Sequence, residues 1–232
     1  MRIIARFKKD DTVRFVSHLD VQRLFQRAFR RADLPVAYSN GFNPHQQLSF
    51  ATALTVGATS SAEWLDIKMD KEISADEFIE RVNAVLPRGF SIAESACAEE
   101  KYPSLSAVMA AAEYSVKLRF DHDLQADTIR SAIEKLLSDS IVVLKKTKAG
   151  MKNVDIRPMV YKMELTEVQG CECTLALAGR LDAAGGLNAD LLLGAYKDIL
   201  GQSFTFSLHR ETIYSIDGAF MPKAPEGYPI QA

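Results

Sequence analysis

The chain has 232 residues, with 28 Lys+Arg against 30 Asp+Glu for a net charge of −2, and 47% of its residues are hydrophobic. A chain of this length buries about 70% of the surface its unfolded form exposes, so its core requires neither disulfide nor metal. The near-neutral balance excludes a protein that holds polyanions through bulk charge, and any nucleic-acid surface has to be local.

The opening run MRIIARFKKDDTVRF has charges inside every apolar stretch, so it reads as neither a signal peptide nor a membrane span, and a cytoplasmic protein is expected. Its first part alternates as a strand with Ile3, Ala5 and Phe7 on one face. In SHLDVQRLFQRAFRRADLP, Ser17 and Asp20 make a capping-box pattern that opens a helix, and Pro35 is expected to end it. QQLSFATALTV (46–56) and AEWLDIKMD (62–70) are rich in strand formers, and GATSS between them reads as a hairpin turn. A second helix opens at Ser74, with Glu77 three residues on, and carries Phe78, Val82, Val85 and Leu86 on one stripe until PRG stops it. FSIAESA (90–96) is the next strand. The order strand, helix, strand, strand, helix, strand is that of the split βαβ, ferredoxin-like unit.

After the connector EEKYPSLSAVMAAA, EYSVKLRF starts the same order again. A helix near 127–138 sets Ile129, Ile133, Leu136 and Leu137 on one face. Strands follow at IVVLKK, VYKMELTEV and CTLALAGRL, then a helix capped by Asn188 and a last strand, SFTFSLHRETIY. Short identities at similar offsets, ARF with LRF and SAD with NAD, agree with a repeat. The fold class expected is α+β, two tandem ferredoxin-like (βαββαβ) lobes with antiparallel sheets: first lobe 1–96, connector 97–112, second lobe 113–217 and a Pro/Gly-rich tail at 218–232.

On the first helix, a turn of about 100° per residue puts Val21, Leu24, Phe25, Ala28 and Ala32 on one side. Arg23, Arg27 and Arg30 fall on the other, with Arg31 at the margin. Like charges four apart repel, so such a face is relieved either by neighbouring acids (Asp20, Asp33, Glu63 or Asp66) or by an anionic partner. Arginine's planar fork suits phosphate and stacks on bases. Downstream, YSNGFNPHQQ combines Asn40-Gly41 with Asn43-Pro44, a stiff turn that holds Phe42, Asn43 and His45. Phe42 either stacks on an unpaired base or plugs the core; His45 either meets a phosphate or faces solvent. His18, in the first helical turn, is a further functional histidine to consider. In KKTKAGMKNVDIRP, Lys145, Lys146, Lys148, Lys152 and Arg157 form a second positive segment, read either as an anion-binding loop or as a solvated hairpin.

Cys97, Cys171 and Cys173 are odd in number and lack CxxC spacing, which fits neither a disulfide framework nor a zinc site. Cys171 and Cys173 read as core packing on one strand face. No Ser–His–acid spacing, HExxH or Walker-type loop appears, so no catalytic residue, cofactor or metal is assigned.

SHLD (17–20), RAFRR (27–31), AYS (37–39), GFNPH (41–45) and SFA (49–51), with the later SLSAVMAAAEYSV and DIRP, resemble the radical-SAM-linked family of uncharacterised bacterial proteins. Its members occur beside, or fused to, radical SAM proteins. The resemblance implies an accessory RNA-binding or substrate-presenting module that works with a separate radical SAM protein, possible partners being structured RNA such as tRNA or rRNA. Gln46-Gln47 departs from the Pro-Lys or Pro-Arg that often follows GFNPH, which removes a positive charge there. The chain has no CxxxCxxC, so the cluster chemistry would belong to the partner. Two alternatives stand beside this one. Tandem ferredoxin-like lobes with a histidine near the first helix are similar to CRISPR repeat-associated endoribonucleases, although AGGLNADLLLG is a poor substitute for their glycine-rich loop. A protein–protein scaffold would instead use the arginines for electrostatic docking.

Overall fold

A computed structural model describes residues 1–147 and 150–230 as a mixed α+β protein. In order come β1 (Arg2–Lys9), α1 (His18–Arg31), β2 (Leu48–Phe50), β3 (Thr59–Lys68), α2 (Ala75–Asn83), β4 (Phe90–Ala98) and α3 (Leu105–Val108). The chain continues as β5 (Met109–Phe120), α4 (Ala126–Ser138), β6 (Val142–Thr147), β7 (Gly150–Asp155), β8 (Val160–Gln169), β9 (Glu172–Asp182), β10 (Gly185–Gly186), α5 (Ala189–Leu200) and β11 (Phe204–Ser215). Two compact units form: Met1–Met109 with His209–Lys223, and Ala110–Leu208 with Ala224–Ala232. No helix of the described residues is long and apolar enough to cross a membrane.

In the first unit the strands lie in the order β2–β3–β1–β4, each pair antiparallel. The period-two alternation of β1 and β3 sends Ile3, Ala5, Phe7, Leu65 and Ile67 into one core with Phe25 and Phe29 of α1 and Phe78 of α2. Phe7 meets Phe25 edge-on, centroids 4.7 Å apart, a geometry worth about 0.5–1.5 kcal/mol beyond burial. The opposite side of the sheet carries no helix of this pair, and there Arg2, Asp66 and Lys68 alternate with the core residues. Arg2 donates to the carbonyls of Glu100 (3.2 Å) and Tyr102, fastening the segment after β4 across that side.

Helix α1 starts as its sequence indicates, Ser17 Oγ accepting from the Asp20 N–H at 3.3 Å. It ends at Arg31, ahead of Pro35. Asp33 adopts a positive φ of 49°, and the Arg81 guanidinium of α2 donates to the Ala32 carbonyl at 3.0 and 2.7 Å and also to that of Asp33. The helix is thus closed locally, Leu34 N–H donating to Phe29 O and Asp33 N–H to Arg30 O, both at 3.1 Å, with Arg81 as a further donor from a distance in sequence. QQLSFATALTV is strand only at Leu48–Phe50. Beyond it Ala51 N–H still reaches Trp64 O at 2.9 Å, and farther along β3 the edge at Thr59–Ser60 is occupied by His209–Arg210 of β11 in parallel register.

At the far edge, β4 pairs with β1 alone, and the register shifts between Arg6 and Phe7. There the Asn83 side chain accepts from Ile92 N–H at 2.7 Å and donates to Ile92 O at 3.0 Å. After β11, Ser215 N–H donates to Pro222 O at 2.8 Å and Met221 is buried, so residues 216–223 fold back onto this unit.

In the second unit β9 pairs with both β5 and β8, antiparallel. Asn188 caps α5 by accepting from Leu191 N–H, and the buried Tyr196 of α5 donates to Ile129 O of α4 at 3.2 Å. IVVLKK joins no main sheet; as β6 it pairs with β7 in a separate two-stranded ribbon, which leaves β8 in the place expected of it. Cys173 is buried on β9, and burial pushes its thiol up to about 11.

Candidate functional site

Four exposed arginines of α1, Arg23, Arg27, Arg30 and Arg31, form the polar side of the helix. Arg23 meets Asp20 at 3.3 Å. The Asp20 carboxyl lies below its usual range, first because Ser17 donates to it and then because of Arg23. Among the described residues, no carboxylate lies within 4.0 Å of the guanidinium of Arg27, Arg30 or Arg31. Of the acids named as internal partners, Asp20 thus meets one arginine of the row, while Asp66 is engaged with Arg2 and Glu63 with Arg210.

The turn after α1 is tied to it through one carbonyl. Gln26 O accepts from Arg30 Nε and from Gln46 Nε2, both at 3.3 Å. Gln46 is 5% exposed and also donates to Tyr38 Oη; its Oε1 has no hydrogen-bond partner among the described residues. Gln46, half of the Gln46-Gln47 pair that lacks a positive charge, is therefore the residue that anchors the turn beside the arginines. Ser39 and His45 close the turn by three hydrogen bonds: Ser39 N–H to His45 O at 2.8 Å, His45 N–H to Ser39 Oγ at 3.1 Å, and Ser39 Oγ with His45 Nδ1 at 2.9 Å. Between them Asn43 is exposed and Phe42 stands fully in solvent at 112% relative exposure, which settles its ring outside the core. Arginines, Phe42, Asn43 and His45 are thus brought together in one unit.

His45 also lines an open cleft of about 420 Å³ on the side of the sheet opposite α1 and α2, with Gln47 and Ser49 from the β2 segment, Asp66 and Lys68 from β3, and Glu100. Sequence reading missed these partners, although the alternation of β1 and β3 places Arg2, Asp66 and Lys68 on the side opposite Ile3 and Ile67. His18 lies apart from this cleft. Its ring packs edge-on to Phe50, centroids 5.4 Å apart, beside a small cavity shared with Lys9 and Glu63. Lys9 is buried, donates to Arg14 O at 2.9 Å, and burial holds its ammonium below the usual lysine range.

The other positive segment belongs to the second unit. Lys146 and Lys152 are exposed on the β6–β7 ribbon, and Lys145 faces Lys152 across it. Lys148 lies outside the described residues. Arg157 donates to Leu137 O at 2.8 Å and Val160 O at 3.1 Å, so its guanidinium holds backbone where the ribbon ends. The ribbon also exposes Val142, Leu144 and Met151, which the pairing register puts on one side with Lys146. Among the described residues no group of three His, Cys, Asp or Glu is placed to hold a metal ion.

Comparisons with known proteins add a family and a fold. The family profile described as an uncharacterized protein conserved in bacteria (DUF2344) matches residues 2–185. No curated protein matches the chain. Among solved structures it is similar to a chain of a Cbf5–Nop10–Gar1 complex, with a TM-score of 0.55 and 11% identity over 91% of this chain and 48% of that one. A chain of an H/ACA RNP bound to a substrate RNA containing 2'-deoxyuridine gives 0.52 and 11%, over 90% and 46%. A chain of an archaeal box H/ACA sRNP Nop10–Cbf5 complex gives 0.50 and 11%, over 90% and 46%. The protein spans about half the length of these chains, and at such identity the likeness is one of fold.

Proposed function

The chain belongs to the bacterial DUF2344 family, and we propose that it is an RNA-binding, substrate-presenting module for RNA modification that carries no reaction of its own. The observation that carries this reading is the α1 arginine row, free of carboxylate partners at Arg27, Arg30 and Arg31 among the described residues, beside a turn that holds an aromatic ring in solvent. Guanidinium groups attract phosphate, and an exposed ring offers a base a stacking platform. The likeness in fold to a chain of an RNP bound to substrate RNA supports the same reading by analogy.

The strand order β2–β3–β1–β4, and β8–β9–β5 in the second unit, support a description as tandem ferredoxin-like lobes. The sequence resemblance supports a radical SAM enzyme as the partner that does the chemistry, with tRNA or rRNA as the shared substrate. The β6–β7 ribbon, through Lys146 and Lys152, adds a second phosphate-binding element; its exposed Val142, Leu144 and Met151 favour a further role as a docking arm for that enzyme.

Binding of the full chain to structured RNA, followed by fluorescence anisotropy across a salt series, tests the reading. The triple variant Arg23→Glu, Arg27→Glu, Arg30→Glu is expected to bind more weakly and to flatten the log K against log salt slope by about 0.7–0.9 for each phosphate no longer neutralised. Unchanged affinity and slope would remove the basis of the proposal.

A further inference from the structure

The cleft of the first unit opposite α1 and α2 is not explained by phosphate attraction. Its charged side chains are already matched: Arg2 pairs with Asp66, Nε to Oδ1 at 3.1 Å, and Lys68 pairs with Glu100. The charged side chains of the cleft therefore balance, in contrast to those of α1. Its volume of about 420 Å³ lies within the range of about 300–1,000 Å³ usual for ligand pockets. A site of this kind suits an uncharged ligand whose edge alternates donors and acceptors, and nucleobases have such edges.

We propose that this cleft receives one unpaired guanine of the bound RNA, its Watson–Crick edge read by the Lys68–Glu100 pair. The inference rests on the RNA-binding reading of the adjoining turn and deepens it. Guanine differs from the other three bases in presenting two neighbouring donors, N1–H and N2–H₂, beside an acceptor, O6. A carboxylate accepts from two parallel donors, and an ammonium has three N–H groups. Lys68 gives one of its three to Glu100 Oε1, which leaves two for O6 and leaves Oε2 open. The hydrogen bond from Lys68 keeps the Glu100 carboxyl below its usual range, so it stays an acceptor at neutral pH.

The surroundings fit a base held at one end of a strand. Ser49 pairs with Asp66 in register and lines the cleft, offering a hydroxyl beside the ion pairs. The His45 ring is fixed through Nδ1 by Ser39, which directs hydrogen bonding to a ligand through Nε2. The same turn carries Phe42 in solvent, ready to stack on the next nucleotide.

The test uses the full chain with labelled single-stranded RNA pentamers that differ only at the central position: G, inosine, A or an abasic site. Guanine is expected to bind at least about tenfold more tightly than A or the abasic strand, with inosine, which lacks the N2 amine, in between. Glu100→Gln should abolish the preference for G. Ser49→Trp, which fills the cleft while keeping all four charged side chains in the chain, should lower the G strand to the abasic level; both positions are exposed, and melting curves confirm folding. Free GMP, followed by chemical-shift changes of cleft residues, separates the pocket from the RNA surface. If all strands bind equally but still depend on the α1 arginines, the pocket is refuted and the RNA-binding reading stands. If GMP shifts the cleft residues while no RNA binds, the pocket stands and that reading falls. Absence of both, or a G preference that survives both substitutions, overturns the inference.

Discussion

The most informative perturbation of the first unit is the separate removal of each partner of its buried ion pair. Arg210 Nη1 lies 2.7 Å from Glu63 Oε1, and each side chain is only 5% exposed. Breaking such a pair from one side costs about 3–5 kcal/mol because the remaining charge is stranded. The two sides are not equivalent here. Lys9 is a third buried charge, and Glu63 is the group that offsets its desolvation. Arg210→Met leaves Lys9 facing Glu63, whereas Glu63→Gln takes away a carboxylate that serves both Lys9 and Arg210. Glu63→Gln is therefore expected at the upper end of that range, about 5 kcal/mol, and Arg210→Met at the lower end, about 3 kcal/mol. The double variant should cost less than the sum of the two. Trp64, the single tryptophan, adjoins Glu63 on β3 and is buried, so urea unfolding followed by its fluorescence reports this unit selectively. Arg210→Met matching or exceeding Glu63→Gln, or strict additivity in the double variant, would refute the reasoning.

Arg81→Met removes a side chain that donates to the end of α1, and a loss of about 1–2 kcal/mol is expected from urea unfolding; Arg81→Lys should recover part of it, because one nitrogen, Nη2, already reaches both the Ala32 and Asp33 carbonyls. Gly89→Ala should destabilise by about 1–3 kcal/mol, since Gly89 has φ +98° and a Cβ there would stand 2.6 Å from Thr12 Oγ1 and 2.8 Å from the Val13 methyls. Gly194→Ala, in the middle of α5 with open space around it, should instead stabilise by about 0.5–1 kcal/mol, read by urea unfolding followed by far-UV circular dichroism because α5 belongs to the second unit. The hydrogen bond from Arg180, with those from the Ala184 and Gly185 N–H groups, holds the Asp182 carboxyl below its usual range. The unfolded chain thus takes up this proton first as pH falls, so the stabilisation is full above the ordinary carboxylate range and disappears as pH drops through the folded-state value. Asp182→Asn is expected to flatten the melting temperature against pH below about 4.

Several elements were legible because their determinants are local. Ser17, Ser74 and Asn188 all cap helices as their spacing indicates, and the helical period separates Val21, Phe25 and Ala28 from the arginines. What escaped was set by distant partners. The bonds that β11 makes to β3 and that Arg81 makes to the end of α1 leave no mark in the neighbouring residues. The same holds for the site. The arginine row and the stiff turn could be read from spacing alone, whereas Gln46 looked like an absent positive charge and is instead the anchor of that turn on Gln26. The cleft needed Glu100 to be carried over Lys68, a juxtaposition that only the folded chain makes.

The Asn83 amide does at β4 what an adjoining strand would do, meeting both the N–H and the carbonyl of Ile92. An outermost strand with its hydrogen-bonding groups free is an invitation to a second molecule, and sheets extended in that manner grow into aggregates. With Ile92 satisfied from within and the register broken beside it, an incoming chain finds no continuous ladder to extend. One asparagine thereby guards a nine-residue border against intermolecular pairing.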